Sequence, residues 1–206
     1  MAARRGGLEE RLRREGYSLV AGVDEVGRGP LAGPVVAAAV ILPPRWDDPG
    51  VADSKSLSPA RREELARVVR ATARAWGLGR CEAGEVDRLN IHRASLLAMR
   101  RAVEAMGVRP QYLLVDGRFT LELEVPQQAV VKGDARERCI SAASILAKVE
   151  RDRLMCRYHQ RYPAYNFAAN KGYATREHRE ALRRFGPCPI HRRSYRPVAQ
   201  MMLGFK

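Results

Sequence analysis

The chain has 206 residues, enough for one domain with a full hydrophobic core, and its 46% hydrophobic content is typical of a globular protein. Its 37 Lys and Arg against 23 Asp and Glu give a net charge of +14, which favours a polyanionic partner such as nucleic acid but supplies no chemistry. Four scattered cysteines, without a Cys-x-x-Cys pair or clustered histidines, argue against a zinc site and a disulfide framework.

The apolar runs are too short to cross a bilayer. The longest, residues 35–42, has eight residues, and no charged-then-apolar leader precedes it. We therefore expect a cytoplasmic protein without a membrane segment.

The first elements predicted are a short charged helix and a hairpin. Residues 8–15 have a helical pattern that Gly16 closes. The apolar runs 18–26 and 35–42 predict two strands separated by the Gly33-Pro34 turn.

Two helices are predicted next. Ser58 as N-cap and Pro59 as first helical residue open the first, over residues 58–69. The short stretch 76–82 connects it to the second, residues 84–106, where apolar residues form one stripe. Its members are Val86, Leu89, Leu96, Val103 and Met106.

Strands and helices alternate afterwards. Residues 111–117 and 127–134 predict strands, followed by a long helix over 136–161 and a basic helix over 175–185. Residues 186–198 are interpreted as an irregular basic tail. Locally paired strands followed by strands separated by helices indicate an α/β fold, a mixed sheet covered by helices.

Three apolar runs end at acids, namely at the pair Asp24 and Glu25, at Asp116 and at Asp134. Taken singly, each acid is more commonly a turn or cap residue. Together, acids at several strand ends converge at one edge of an α/β sheet, where they repel each other unless a cation lies among them. Oxygen-only ligands favour Mg²⁺ or Mn²⁺, and two such ions suit phosphoryl transfer.

The adjacent acids pose a geometric problem. Successive side chains of a strand point to opposite faces, so Asp24 and Glu25 cannot both reach one metal from an ideal strand. Glu25 needs a strand edge, a bulge or its longer reach, and Gly27 and Gly29 permit irregular backbone beside it.

The chain resembles the bacterial ribonuclease HII family in eight blocks, in the family's order, between about residues 19 and 198. They are GVDEVGRGPLAGPVV, DSKSLSP, EVDRLNI, LLVDG, VVKGD, SAASILAKVERD, NKGYATREH and HRRSY. The resemblance implies a ribonuclease H-like fold, a five-stranded mixed sheet flanked by helices with a C-terminal helical portion. The Gly-Arg-Gly form of the first block is that of ribonuclease HII, not of ribonuclease HIII.

The resemblance also implies the activity. It is endonucleolytic cleavage of RNA in RNA–DNA hybrids and incision 5′ to single ribonucleotides embedded in duplex DNA, with 3′-hydroxyl and 5′-phosphate products and a role in removing ribonucleotides from DNA. Two divalent ions, Mg²⁺ or Mn²⁺, are implied as cofactors.

The family's four acids fall on Asp24, Glu25, Asp116 and Asp134. Asp152 competes for the fourth place. We prefer Asp134, since it lies in the family's block and Asp152 has Lys148 as an ordinary i,i+4 helix partner.

The resemblance assigns nucleic-acid contacts as well. Gly27, Arg28 and Gly29 would bond the 2′-hydroxyl groups through their backbone, Tyr173 would stack at the ribose, and Lys55 would lie near the phosphates. Solvation and packing remain the alternatives for Lys55 and Tyr173.

The remaining residues of interest are basic. Arg192 and Arg193 either contact the DNA strand or are solvated. The four histidines, His92, His159, His178 and His191, lack metal-ligand spacing and are interpreted as structural or surface residues.

We expect an N-terminal extension at 1–16, a catalytic domain at 17–198 with its helical portion from about 160, and a tail at 199–206. The protein is expected to be a monomer. Gln200, Leu203 and Phe205 resemble the spacing of peptides that dock on sliding clamps, with a frayed terminus as the alternative.

Two other functions compete. A resolvase or integrase core would use the same acids, cut DNA lacking ribose and not need the Gly27–Gly29 segment. A basic RNA-binding protein would make the acids structural and would be indifferent to divalent metal.

Overall fold

The computed structural model describes residues 7–44, 46 and 57–203, apart from the side chain of Leu203. Its centre is one five-stranded mixed sheet in the order β3-β2-β1-β4-β5. The strands are β1 (Val20–Val26), β2 (Val35–Ile41), β3 (Ala75–Cys81), β4 (Tyr112–Asp116) and β5 (Gln127–Val130). β1 pairs antiparallel with β2 and parallel with β4, and β4 pairs parallel with β5.

Helices cover both faces of this sheet, which confirms the predicted α/β fold. They are α1 (Gly7–Arg14), α2 (Pro59–Thr72), α3 (Ala83–Glu104), α4 (Arg138–Arg161), α5 (Phe167–Asn170), α6 (Arg176–Phe185) and α7 (Arg196–Leu203). α4 packs with α2 on one face and α3 packs on the other. The last three helices form the predicted C-terminal helical portion, and no helix in the described ranges is long and apolar enough to span a membrane.

Close packing fixes α4 against β1. Gly22 of β1 faces the first turn of α4, where a Cβ atom would collide with the backbone of Cys139 and Ile140. Val20 on the same face of the sheet joins Ile140 and Leu146 in the core. The absence of a side chain at Gly22 therefore lets α4 approach the strand that carries Asp24.

The stretch 76–82, interpreted as a connection, is instead the edge strand β3. Two glycines weaken its strand pattern, because they have low strand propensity. They are required by packing: a Cβ atom on Gly77 or Gly79 would run into the backbone of α3 at Ala102 or Ala98.

The predicted helix over 84–106 is broken once. Asn90 has φ +68°, and its side chain accepts hydrogen bonds from the amides of His92 and Arg93, so it caps a second helical segment. Ser58 is confirmed as the N-cap of α2, accepting from Arg61 N at 3.3 Å, with Pro59 at the helix start.

The N-terminal helix α1 docks on the start of α4 by reciprocal capping. The buried Glu137 carboxylate accepts from Leu8 N and Glu9 N, at 3.4 and 3.1 Å. Glu9 in turn accepts from Cys139 N at 3.3 Å. Each helix therefore satisfies amide groups that the other leaves unpaired.

The interpretation of residues 186–198 as an irregular basic tail is wrong. Ala32 and His191 form a β-bridge, Arg192 N donates to Leu31 O at 2.8 Å, and α7 begins at Arg196. His191 and Arg192 are buried. The segment is an integral part of the fold, packed against the loop that follows β1.

Candidate active site

The register of the sheet brings Asp24 and Asp116 together. Val23 of β1 pairs with Val115 of the parallel strand β4, and the two aspartates are the next residues of these strands. Side chains alternate along a strand, so both aspartates lie on the α4 face. Two acids far apart in sequence thus become neighbours at the carboxyl end of the two central parallel strands.

Asp24 is almost fully buried beneath α4. Its Oδ1 accepts the amide of Glu25 at 2.7 Å, and the Ser144 side chain of α4 also hydrogen-bonds to it. Burial, then the neighbouring charges of Glu25 and Asp116, raise the pKa of Asp24 well above its ordinary value. A bound cation would offset the burial of this carboxylate and its repulsion by Glu25 and Asp116.

Glu25 reaches the same cleft from a strand edge. The pairing of β1 with β2 continues without a bulge through Val26, whereas the pairing of β1 with β4 ends at Val23. One edge of β1 is therefore open beside Glu25. Its Oε1 pairs with Arg28 at 3.2 Å, and its Oε2 is buried without a hydrogen-bond partner among the described residues. Burial is the main cause that raises the pKa of Glu25.

Asp116 and Asp134 are joined through backbone. The Asp116 Oδ1 accepts Gly133 N at 2.7 Å and Asp134 N at 3.4 Å, in the 3₁₀ turn Gly133–Ala135 that follows β5. Lys132, with φ +56°, turns the chain into this position. Asp134 is buried and lies on the wall of the same cleft.

All four predicted acids line one cleft of about 510 Å³. Four polar lining residues were not predicted from the sequence as site residues, namely Arg62, Lys132, Ser144 and Lys148. Ser144 and Lys148 are four residues apart on α4, so helical periodicity is a signal that could have placed them together. The cleft thus combines an acidic floor with three basic side chains, a composition suited to a phosphate and its counter-ions.

The donor set fits a hard divalent cation. The cleft offers carboxylate and hydroxyl oxygens, including the unpartnered Glu25 Oε2, and contains no histidine or cysteine among its described lining residues. Among the described residues, no group of three or more His, Cys, Asp or Glu side chains lies close enough together to hold a metal ion. The four acids line the cleft without converging on one point.

Asp152, the competitor of Asp134, is engaged elsewhere. Its Oδ1 lies 2.7 Å from Lys148 Nζ, in the predicted i,i+4 pair, and it does not line the cleft. The structure therefore places Asp134, not Asp152, with the other three acids.

The loop after β1 lies beside Tyr173. Gly27 has φ +97°, and a Cβ atom on Gly29 would lie 3.8 Å from Tyr173 Cε1. The Tyr173 side chain is exposed and lines the cleft, while its carbonyl bonds to His178 Nδ1 at 2.8 Å. The ring is thus presented to a ligand by a fixed backbone.

Both alternatives considered for Arg192 are wrong. Its side chain is fully buried and bonds to the backbone of the loop after β1, whereas Arg193 is exposed. His178 and His191 are buried and bonded to each other at 3.0 Å, a structural role. Lys55 lies outside the described residues.

The three residues of the clamp-like tail fall at the end of the described chain. Gln200 is exposed on α7, and Leu203 is the last residue of that helix. Phe205 lies outside the described residues.

The strand order, the helices on both faces and the acids on the two central parallel strands define a hydrolase of the ribonuclease H-like class. A profile described as ribonuclease HII matches residues 21–198. The chain belongs to the ribonuclease HII family. The protein is therefore a hydrolytic endonuclease that acts on RNA in RNA–DNA hybrids.

Curated relatives carry the same family name. The ribonuclease HII of Moorella thermoacetica is 56% identical over 188 residues, 91% of each chain. That of Pelotomaculum thermopropionicum is 58% identical over 192 residues, 92% of this chain and 72% of its own.

Solved structures support the fold. Ribonuclease H2 from Pyrococcus horikoshii superposes with a TM-score of 0.78 at 28% identity, covering 90% of this chain and 98% of its own. The ribonuclease HII of Archaeoglobus fulgidus, solved in a complex with PCNA, superposes with a TM-score of 0.74 at 28% identity, covering 89% of this chain and 96% of its own.

Proposed function

We propose that the cleft binds two divalent ions, Mg²⁺ or Mn²⁺, and cleaves the phosphodiester bond 5′ to a ribonucleotide, both in hybrids and at single ribonucleotides in duplex DNA. Asp24, Glu25, Asp116 and Asp134 are the proposed ligands. The observation that carries the proposal is that Asp24 and Asp116, the residues directly after the paired Val23 and Val115, line one cleft together with Glu25, Asp134 and Tyr173.

When bound, the ions would activate a water for attack on phosphorus and stabilise the leaving 3′ oxygen, which yields 3′-hydroxyl and 5′-phosphate ends. The side chains of the protein hold the ions and the phosphates. Asp24, Glu25, Asp116 and Asp134 would hold the ions through their carboxylate oxygens. Arg62, Lys132 and Lys148 supply positive charge at the walls for the phosphates.

Ribose recognition is assigned to the loop after β1. The 2′-hydroxyl distinguishes RNA from DNA, and backbone groups detect it without reading the base. The backbone of Gly27, Arg28 and Gly29 lies beside the exposed Tyr173 ring, which gives the ribose a stacking surface and hydrogen-bonding groups at one place. Cleavage at single ribonucleotides would serve to remove them from DNA.

The test uses an end-labelled duplex with one ribonucleotide, incubated with Mg²⁺ or Mn²⁺, and the same duplex with deoxyribose as control. We expect one incision, 5′ to the ribonucleotide, whose 3′ end a polymerase extends without phosphatase treatment. Incision of the all-DNA control would favour a resolvase-type nuclease. Metal-independent binding without cleavage by folded protein would favour a binding protein.

We further propose that the tail at Gln200, Leu203 and Phe205 contacts a sliding clamp. Support comes from the Archaeoglobus relative, solved in a complex with PCNA, and from the exposure of Gln200 on α7. Removal of residues 204–206 should abolish co-elution with a bacterial sliding clamp while leaving cleavage intact. Unchanged co-elution would exclude this contact.

A further inference from the structure

Two arginines are fully buried in the helical side of the molecule. Arg151 on α4 and Arg192 in the segment before α7 are both 0% exposed. Neither forms an ion pair with a carboxylate of the described residues, although burying a charge without such a pair is costly. Burial lowers the pKa of Arg151 to about 10, and the nearby Arg192 charge adds to this effect. The hydrogen bonds of these two guanidinium groups must therefore offset the free energy lost when the groups are removed from water.

Their hydrogen bonds go to the loop after β1. Arg192 donates from Nη2 to Gly27 O at 2.6 Å, from Nη1 to Arg28 O at 2.9 Å, and from Nε and Nη2 to Gly33 O at 3.0 and 2.9 Å. Bonds of this kind, from a charged donor, are stronger than neutral ones. The guanidinium thus replaces water around three carbonyls of one loop.

The bonds to Gly27 and Arg28 also set the direction of the amides. In a planar trans peptide the C=O and the following N–H point in opposite directions. Since the carbonyls of Gly27 and Arg28 point at Arg192, the N–H groups of Arg28 and Gly29 point away from it. The buried guanidinium therefore turns two amides outward in the segment proposed to detect ribose.

Arg151 ties the same loop to the tyrosine segment. It donates to Pro34 O at 3.0 Å and Ala32 O at 3.2 Å, and from Nη1 to Lys171 O at 3.0 Å. Leu31 N adds a bond to Gly172 O at 2.8 Å. The segment that leads into Tyr173 is thereby held against the loop by the Arg151 side chain and by one backbone hydrogen bond.

The glycines of the loop leave room for this arrangement. Gly27 adopts φ +97°, and a Cβ atom there would collide with the Arg151 side chain. The Gly27 backbone and the Arg151 side chain are thus packed directly on each other, and only glycine leaves the room for this contact.

We infer that Arg151 and Arg192 are positioning residues that lock the Gly27–Gly29 backbone and the Tyr173 segment into one preformed ribose-recognition unit. This role rests on the function proposed above. Neither arginine touches the substrate. Their effect is transmitted through six backbone carbonyls, those of Gly27, Arg28, Ala32, Gly33, Pro34 and Lys171.

The central experiment couples the protein variant to the substrate. Arg192→Lys keeps the positive charge, but one ammonium group cannot reproduce the planar fork of donors. Cleavage is measured on a duplex with one ribonucleotide and on the same duplex with 2′-fluoro at that sugar. We expect kcat/KM on the ribose substrate to fall about 100-fold, the scale of a misplaced reactive group.

On the 2′-fluoro substrate, kcat/KM should fall much less between wild type and Arg192→Lys. The fluorine already weakens the contact of this sugar with the loop, so there is less for the variant to disturb. Equal fold losses on the two substrates would show a general structural defect and overturn the inference. Arg100→Lys, at an exposed ion pair on α3, is the control for an Arg-to-Lys change and should leave both rates unaltered.

Hydrogen exchange supplies a readout that does not depend on cleavage. In Arg192→Lys and Arg151→Lys, amides of residues 27–34 and 171–173 should exchange faster, while those of β2 and α3 remain protected. Unchanged exchange in the two segments would overturn the positioning role. If wild type fails to incise the ribose duplex, both the proposed function and the proposed recognition of ribose are wrong. The hydrogen-exchange result still tests whether the two arginines position the loop.

Tyr195→Phe keeps the test valid if the arginine variants do not fold. The Tyr195 hydroxyl donates to Arg28 O at 2.6 Å and accepts from Arg192 Nη1 at 3.0 Å. Removal of the hydroxyl deletes both hydrogen bonds and should reduce kcat/KM on the ribose substrate at least about fivefold, again with a smaller loss on the 2′-fluoro substrate. No difference between the substrates would contradict the inference.

Discussion

The imidazole of His191 donates its single ring proton to His178. His178 Nδ1 lies 2.8 Å from the carbonyl of Tyr173, an acceptor, so it carries the proton of that ring. His178 Nε2 must then accept from His191 Nε2, 3.0 Å away, which leaves His191 Nδ1 to accept the amide of Cys188 at 3.0 Å. The network assigns one tautomer to each ring, and both rings are neutral.

Acid should therefore destabilise the protein through His191. Burial, and then the neighbouring His178, lower the pKa of His191 to about 4 from an ordinary 6.5. The unfolded chain takes up the proton first, so this contribution to stability is complete above about pH 6.5 and is lost as the pH falls toward 4. The loss amounts to about 3 kcal/mol.

The measurement is urea unfolding of wild type and His191→Gln between pH 4 and 8. The variant should show a shallower fall in the free energy of unfolding over this range, and His92→Gln, at a partly exposed histidine outside this network, should follow the wild type. Parallel curves for wild type and His191→Gln would contradict the assignment of a neutral, buried ring.

Asp24→Asn should separate stability from activity. Because burial and neighbouring acids raise the pKa of Asp24, its ionisation destabilises the folded state as the pH rises above the ordinary value of 3.8. With chelator present, the variant should gain about 1 to 3 kcal/mol at pH 8 and nothing at pH 3. Cleavage should fall at least about 1000-fold, since a ligand of the proposed ions is lost. A variant that cleaves normally would exclude Asp24 from the site.

Asp134 and Asp152 should respond differently to the same chemical change. Asp134→Asn should reduce cleavage at least about 100-fold, because Asp134 lies on the wall of the cleft. Asp152→Asn breaks an i,i+4 pair with Lys148 and should alter the rate by about twofold. Steady-state cleavage of a hybrid measures both, and the reverse order would make Asp152 the fourth acid.

Gly22→Ala should destabilise the protein by about 3 kcal/mol, because the added methyl group would force α4 away from β1. Gly84→Ala, in the first turn of α3 with open space around it, is the matched control. It should stabilise the protein by about 0.5 to 1 kcal/mol. Thermal or urea unfolding measures both variants, and a neutral Gly22→Ala would show that the contact is loosely packed.

The sequence predicted the strands that carry acids, because each is an apolar run with a clear end. It did not predict β3, whose Gly77 and Gly79 are determined by the approach of α3 and not by strand propensity. The break of α3 at Asn90 was also missed, since an isolated asparagine does not interrupt an apolar stripe.

The four acids of the candidate site could be predicted from the sequence. Several of the residues that surround and support them could not. Arg192 lies in a basic stretch, a pattern that predicts side chains in solvent or in contact with DNA. Its burial depends instead on hydrogen bonds to carbonyls of a loop more than 150 residues earlier in the chain. Ser144 and Lys148 line the cleft because α4 packs against Gly22, a contact between distant parts of the chain. Local patterns do not contain such information.

The connectivity of β1 has a consequence for synthesis of the protein. β1 pairs with β2 across a short connection, but it meets β4 only after α2, β3 and α3 have been made, and α4 and the Arg192 segment come later still. Long-range pairings of this kind form late in folding. The cleft and the loop beside it can therefore be completed only after residues as late in the chain as Ser144 and Arg192 have been synthesised.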